Sequence, residues 1–346
     1  MTGAATSLDV ARRAGVSQSA VSRAFTPGAP VSEAMRERVL AAAAELGYRP
    51  NVLARSLITG RSRIIGLVVA YLDNQYYPAA LERLCAALQA KGYHVLIFMS
   101  SQTAADHDAV LEQILDYQVE GVVMASAALS SDLARRCDAA GIAVVLFNRV
   151  QDDPRVSAVA SDNRAGGRRI ARFLAARGHR RPGYIAGWEG SSTQRDREAG
   201  FRAGLAEAGL PLAARAVGDY DFARAQEAAR AMASRPDRPD AIFVANDHMA
   251  IAAMDVIRFE LGLRVPEDVA LVGYDDAPQA AWAAYDLTTL RQPTEAMVAA
   301  TVEALLARIE AGDPAPRRVA LAGRLIPRRS APAPEGWTDE DDDEGL

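Results

Sequence analysis

The sequence predicts a small all-α module at the N-terminus, followed by an α/β body of two lobes, each built on a doubly wound parallel sheet. Three observations carry that prediction. Residues 7–48 hold three short segments of helical periodicity bounded by capping residues. From Ile64 onward, short apolar runs alternate with helical stretches, a βα repeat that favours parallel strands covered by helices. A second series of the same kind begins after Asp162, so the body holds two lobes rather than one. With 346 residues, half of them apolar, the chain is long enough for a large core and more than one domain.

The N-terminal elements follow from their caps. Thr6 or Ser7 can cap "LDVARRA", which Gly15 ends; Ser17 caps "QSAVSRAF" and turns Ala20 and Val21 inward. The stretch "TPGAP" breaks the chain, and Ser32 caps "EAMRERVLAAAAELG", which Gly47 closes. A helix, a Gly-containing turn and a second helix that opens on small polar residues and carries an Arg form a helix-turn-helix arrangement. A generic three-helix bundle would share the periodicity but would not need "SQS" at the start of its second helix. Next comes "PNVLARSLITGRSR", residues 50–63, with Leu53 and Leu57 on one helical face but too few residues to hold a helix alone.

The body reads in order as "IIGLVV", "YPAALERLCAALQAKG", "YHVLIFM", "DHDAVLEQILDYQ", "GVVMA", "DLARRCDAAG" and "IAVVLFN". The second lobe repeats the scheme with "NRAGGRRIARFLAARG", "PGYIAG", "RDREAGFRAGLAEAG", "AIFVAND", "HMAIAAMDVIRFELG" and "VALVGYDD". Ligands of such sheets bind at the carboxyl ends of the strands, and two lobes make the cleft between them the natural site. Several strands here end on polar residues, at Asn148, Asn246 and Asp275, and a helix starts near Arg195. Amides, a carboxylate and a guanidinium around a concavity suit a small ligand that makes many hydrogen bonds. The same Asn148, Asn246 and Asp275 also suit helix caps and loop ties, and Asp247 reads as structural.

Charge is unevenly spread. The net charge is -5, yet Glu335 to the end holds seven acids and no base, while residues 1–63 hold nine arginines against four acids. A basic N-terminal module is the electrostatic footprint of a nucleic-acid binder, and equally that of a solvated charged face. Lys91 is the only lysine, so the preference for Arg is chain-wide. Cys85 and Cys137 show no metal or redox spacing and are expected as buried thiols. No apolar run is long enough for a membrane helix and the N-terminus lacks an export pattern, so a cytoplasmic location without membrane partners is expected.

The motifs "LDVARRAGVSQSAVSRAF", "VSEAMRERVLAAAAELGYRPN" and "LARSLITGRSRIIGLVV" closely resemble the headpiece and hinge of the lactose-repressor/galactose-repressor family of bacterial transcription regulators. The likeness continues through "SDNRAGGRRIARFLAARGHRR", "PDAIFVANDHMAIAAMD", "LGLRVPEDVALVGYDDAP" and "YDLTTLRQP", over roughly residues 6–330. It implies a periplasmic-binding-protein-like core and a second helix lying in the major groove, with Ser17, Gln18 and Ser19 at its start and Arg23 further along. Gln18 has the amide that pairs with adenine, Arg23 the fork that suits guanine or phosphate, and Ser17 and Ser22 suit phosphate. It further implies that Asn51, Ala54 and Arg55 follow the DNA and that Leu57 is wedged into the minor groove when two subunits lie side by side. Unstacking a base step costs a few kcal/mol, offset by the contacts that bent DNA permits.

For the effector pocket the resemblance implies Tyr77, Asn148, Ser191, Arg195, Tyr220, Asn246, Asp275 and Gln292. Departures from relatives bear on the ligand: "NQYY", Asn74 to Tyr77, adds two phenols, Trp188 lies in "IAGWEG", and Ala125 stands where some sugar-binding relatives place an amide. The implied division is a headpiece at 1–50 and a hinge at 51–62. A core at 63–330 follows, with one lobe about 63–162 and 293–318, the other about 163–290 and 319–330, and a disordered acidic tail at 331–346. The expected protein is a homodimer on a pseudo-palindromic operator, most simply a repressor, controlled by a sugar or related metabolite and needing no cofactor. An enzyme is the first competitor, but the four histidines have no metal-ligand spacing and no "GxxxxGK[ST]" loop occurs. A transport-type binding protein is the second; it would need an export signal and no headpiece.

Overall fold

The computed structural model describes residues 5–26, 28–49, 61–70, 72–100, 104–125, 136–151, 153–313 and 315–337. It divides into two compact units, Met1–Arg63 and Ile64–Leu346.

In the first unit, α1 (Ser7–Ala14), α2 (Gln18–Ala24) and α3 (Glu33–Glu45) surround a core of Val10, Ala11, Val21, Ala24, Val39, Ala42 and Ala43. Of the two candidate caps, Thr6 holds the N-terminus of α1: its hydroxyl accepts from the Asp9 amide, and the Asp9 carboxylate accepts from the Thr6 amide at 2.9 Å. Gly15, at φ 63°, ends the helix in the left-handed region that favours glycine. Ser17 caps α2 as expected, while Ser32 takes the cap position of α3 without a side-chain bond. Arg36 donates to the Ala24 carbonyl at 3.0 Å and Arg13 pairs with Glu45, tying α3 to both other helices. The hinge positions Asn51, Leu53, Ala54, Arg55 and Leu57 lie outside the described residues.

The second unit holds the two lobes. The first is a six-stranded, all-parallel sheet ordered β11-β5-β4-β3-β1-β2. Its strands are β1 (Ile64–Val69), β2 (His94–Met99), β3 (Gly121–Ala125), β4 (Ala143–Phe147), β5 (Ser157–Ser161) and β11 (Arg318–Leu321). Helices α4 (Tyr76–Ala90), α5 (Ala104–Asp116) and α10 (Thr294–Glu310) belong to this lobe. Its inner strands are buried along their whole length, which is why they read as unbroken apolar runs.

The second lobe is ordered β12-β10-β9-β8-β6-β7, from β6 (Pro182–Ala186), β7 (Ala214–Val217), β8 (Ala241–Val244), β9 (Ala270–Asp275), β10 (Thr288–Arg291) and β12 (Arg324–Ile326). β12 runs antiparallel to β10, so this sheet is parallel except at one edge. Its helices are α6 (Asn163–Ala176), α7 (Ser192–Glu207), α8 (Phe222–Ala233) and α9 (Asp247–Asp255), the last prolonged by a π-helical turn at Val256–Glu260.

The chain passes between lobes near Asp162, again at Gln292–Pro293, and a third time between Leu321 and Arg324. The third crossing comes later than the expected 318, because β11 pairs with β5 through Leu321. The tail expected to leave the fold at 331 instead follows the second lobe to Trp337. Ala331 is buried and the Trp337 ring meets Phe173 edge-on at 5.2 Å. An indole offers enough apolar surface to hold a segment whose composition otherwise favours solvent. Cys137 is buried and Cys85 half-buried, and burial pushes the Cys137 thiol up to about 11.

Candidate functional site

In the headpiece unit, Ser17, Gln18 and Ser19 are exposed at the N-terminus of α2, and Ser22 and Arg23 are exposed one turn on. The Ser17 hydroxyl caps Ala20 at 3.2 Å and lies 2.9 Å from that of Ser19. Gln18 Nε2 donates to Ser7 Oγ at 2.8 Å, so the amide must exchange that bond to reach a base. Apolar positions of α2 face the small core and polar ones face away, which leaves an exposed, polar helix end of a kind that suits a groove.

In the body, the polar strand ends meet between the lobes. From the first lobe come Tyr77 at the start of α4 and Asn148 just after β4, whose Nδ2 donates to the Tyr77 hydroxyl at 3.4 Å. Asn148 sits at φ 59°, a conformation asparagine tolerates better than most residues. Burial pushes the Tyr77 phenol up, opposed by Arg149 and reinforced by Asp275. From the second lobe comes Asp275, which ends β9 at φ 121° and is buried. Its Oδ1 accepts from Gln292 Nε2 at 2.7 Å, and its Oδ2 accepts from Asn74 Nδ2 at 3.3 Å, a bond that crosses the cleft. Ser191 caps α7 and contacts Thr193 at 2.6 Å, which contacts the Tyr220 hydroxyl at 3.0 Å. Asn246 caps α9, its Oδ1 accepting from the Met249 amide at 3.0 Å, so its side chain takes the capping use.

The guanidinium expected at 195 is supplied two residues later. Arg195 is exposed and engages Asp196. Arg197 is buried; it donates to Asn163 Oδ1 at 2.8 Å, to the Ala245 carbonyl and to Asp275 Oδ1 at 3.3 Å, and lies 3.6 Å from the Tyr274 ring centroid. Helical phase explains the difference: α7 buries Thr193, Gln194, Arg197, Gly200, Phe201 and Gly204, one stripe that includes 197 and leaves 195 on the outer face. The same stripe finds Thr193, and reading Asn74 as the polar residue after β1 finds the cleft-crossing amide. Tyr274 and Asn163, which fix Arg197, carry no sequence signal of their own.

Burial pushes the Asp275 carboxyl above its usual range, against the pull of Arg197 and the hydrogen bonds from Gln292 and Asn74. Asp247 is fully buried, accepts from the Thr289 hydroxyl at 2.6 Å and the Ala277 amide at 2.8 Å, and is pushed well up by burial and by the Asp275 charge. It holds the loop after β9 and so acts structurally on Asp275. Among the described residues no His, Cys, Asp and Glu group is arranged to hold a metal ion, and no helix is long and apolar enough to cross a membrane.

Two further contacts cross the cleft, the Arg149 guanidinium 5.7 Å from the Trp188 ring and the Ser192 hydroxyl accepting from the Val150 amide at 3.0 Å. The cluster can therefore hold a small polar molecule with groups from both lobes, and its occupant bears on how the lobes meet. A cavity of about 680 Å3 opens beside it, with Asp275 and Gln292 in its wall.

Comparison with known proteins places both units. Residues 6–51 match the model for bacterial regulatory proteins of the lacI family, and residues 171–331 match that for a periplasmic binding protein-like domain. The chain is 34% identical to the HTH-type transcriptional regulator CelR of Thermobifida fusca, over 93% of this chain and 96% of that one. It is 30% identical to the ribose operon repressor of Escherichia coli K12, over 94% of this chain and 100% of that one. In structure it matches the lac repressor dimer bound to operator and the anti-inducer ONPF, with a TM-score of 0.85 at 28% identity, covering 96% of this chain and 100% of that chain. The chain belongs to the lacI family of bacterial regulatory proteins.

Proposed function

We propose that this ligand-controlled, DNA-binding regulator of transcription works as a homodimeric repressor whose effector is a small polyhydroxylated metabolite of sugar type, held between the lobes. The observation that carries this is the buried polar cluster drawn from both lobes, Tyr77, Asn148 and Asn74 on one side and Arg197, Asp275 and Gln292 on the other. Hydroxyl-rich ligands match such a set of amides, phenols and a carboxylate. The ribose operon repressor and a solved CelR complex with cellobiose support a sugar.

On DNA, Gln18, Ser19 and Arg23 read the major groove and Ser17 and Ser22 hold phosphate. Asn51, Ala54, Arg55 and Leu57 form the hinge, with Leu57 as the wedge. Exposed apolar side chains favour pairing of two copies: Ile97 and Met99 on the edge strand β2, and Phe222, Phe259 and Trp282 on the second lobe. Because coupling is reciprocal, a ligand that loosens the DNA complex must bind that complex more weakly than the free protein.

The test is operator binding measured with and without a sugar panel, on the whole protein and on one lacking residues 1–62. The truncated protein is expected to keep ligand affinity and lose DNA. Gln18→Ala should cost about 1–3 kcal/mol at one base pair of the site, and Leu57→Ala should lose most operator affinity with ligand binding intact. DNA affinity indifferent to every ligand would remove the allosteric part, and measurable turnover of a bound ligand would replace the regulator with an enzyme.

A further inference from the structure

From Asn163 to Arg181, along α6 and the turn that follows it, the chain carries seven arginines and no acid. Three carboxylates face this run from neighbouring elements. Arg164 meets Asp196 at 3.1 Å, while Arg168 and Arg172 share the carboxylate of Glu207 at 3.2 and 3.3 Å. Asp240 accepts from the backbone amides of Arg180 and Arg181. Arg169 donates to the Gly323 carbonyl at 2.7 Å, a neutral partner that holds the guanidinium and leaves its charge in place. Three carboxylates against seven guanidiniums leave this face of the second lobe positive.

Helical phase stacks Arg169, Phe173 and Arg177 on one stripe of α6, four residues apart. Phe173 is buried, and the Trp337 ring meets it edge-on at 5.2 Å. The chain is therefore led onto this stripe between two arginines, with Arg172 next to Phe173 in sequence. There the indole Nε1 is a buried donor without an acceptor among the described residues.

Trp337 is followed by "TDEDDDEGL", residues 338–346, with six acids and no base; these positions lie outside the described residues. Nine residues reach about 30 Å when extended. The 14 residues of α6 span about 21 Å, so an acidic run that starts beside Phe173 is long enough to reach either end of the helix. A single exposed ion pair contributes little, but a row of carboxylates tethered beside a row of guanidiniums meets it at an effective concentration that no free anion matches.

We propose that residues 338–346 seat on the basic face of α6 around Arg169, Arg172 and Arg177, anchored by Trp337. They act there as a built-in counter-ion that keeps this face of the body from holding DNA or another polyanion. The proposal is independent of what the cleft between the lobes binds.

Deleting residues 338–346 from the full-length protein tests it, in the parent and in an Arg172→Gln/Arg177→Gln background. Arg177 is exposed, and Glu207 keeps Arg168 when Arg172 is changed, so this background is expected to fold, as melting curves report. At about 50 mM salt the deletion should lower the melting temperature of the parent by about 2–4 °C and tighten its binding to random-sequence duplex DNA about threefold or more. Both effects should shrink at about 0.5 M salt and largely vanish in the double variant; Arg177→Gln alone should remove part of each. A deletion that leaves the melting temperature of the parent unchanged overturns the proposal, and so does one that lowers it equally in both backgrounds. Unchanged affinity for random-sequence DNA overturns the counter-ion role. DNA binding tightened by the same factor in both backgrounds assigns the acidic run to the headpiece arginines and overturns the seat on α6.

Discussion

At Arg197 a full positive charge is held out of water by one carboxylate, an amide oxygen, a carbonyl and an aromatic face. Removing it strands Asp275, whose charge then lacks its partner. Arg197→Leu is therefore expected to cost about 3–5 kcal/mol in denaturant unfolding, whereas the exposed Arg195→Ala should stay within about 0.5 kcal/mol. Asp247 gives a pH signature of definite sign. Its carboxyl is raised in the folded protein by burial, so the folded state keeps a proton that the unfolded chain releases. The stability this confers is complete below the unfolded carboxylate pKa and is lost as pH rises through the folded one. Asp247→Asn removes that loss, and its melting temperature should exceed that of the parent more at pH 8 than at pH 5, by roughly 2–4 °C for each 1 kcal/mol. Surface acids such as Asp153, held at about 2 by the hydrogen bonds from Arg155, act in the opposite sense and favour the folded state less as pH falls.

Among elements, the pairing of α6 with α7 sets the pocket. A Cβ on Gly167 would lie 2.1 Å from the Arg197 carbonyl oxygen, and one on Gly200 2.0 Å from that of Arg164, so the two helices cross with backbones in contact. That closeness brings Asn163 of α6 within 2.8 Å of the Arg197 side chain. Gly167→Ala should push the helices apart, destabilising by about 1–3 kcal/mol and weakening ligand binding with Arg197 itself unchanged. Thermal unfolding together with calorimetry separates this from a simple loss of stability, since a stabilised background should restore folding but not affinity.

For the whole molecule, the apolar side chains left on the surface matter most. Phe259 is 81% exposed on the π-helical turn that follows α9, and Trp282 is 55% exposed beyond β9. Exposed aromatics so placed suit contact with another chain. Phe259→Glu is expected to shift the protein from dimer to monomer in sedimentation, at a cost of about 2 kcal/mol or more. Operator affinity should fall with it, because two headpieces linked in a dimer bind with an effective concentration that separate ones lack.

The sequence by itself determined the βα alternation, the helix-turn-helix cap at Ser17 and the strand-end residues Asn148 and Asp275, and narrowed the first cap to Thr6 or Ser7. These are local facts, set by period, by capping chemistry and by where an apolar run stops. Tertiary structure alone decided that Arg197 rather than Arg195 is buried, that Asn74 reaches Asp275 from 201 positions away, and that β11 and β12 join different sheets. It also decided that Trp337 holds a tail whose composition pointed to solvent. Each of these depends on which neighbour is present in space, and a residue's own type and spacing carry no information about a partner supplied by the other lobe or by a distant helix.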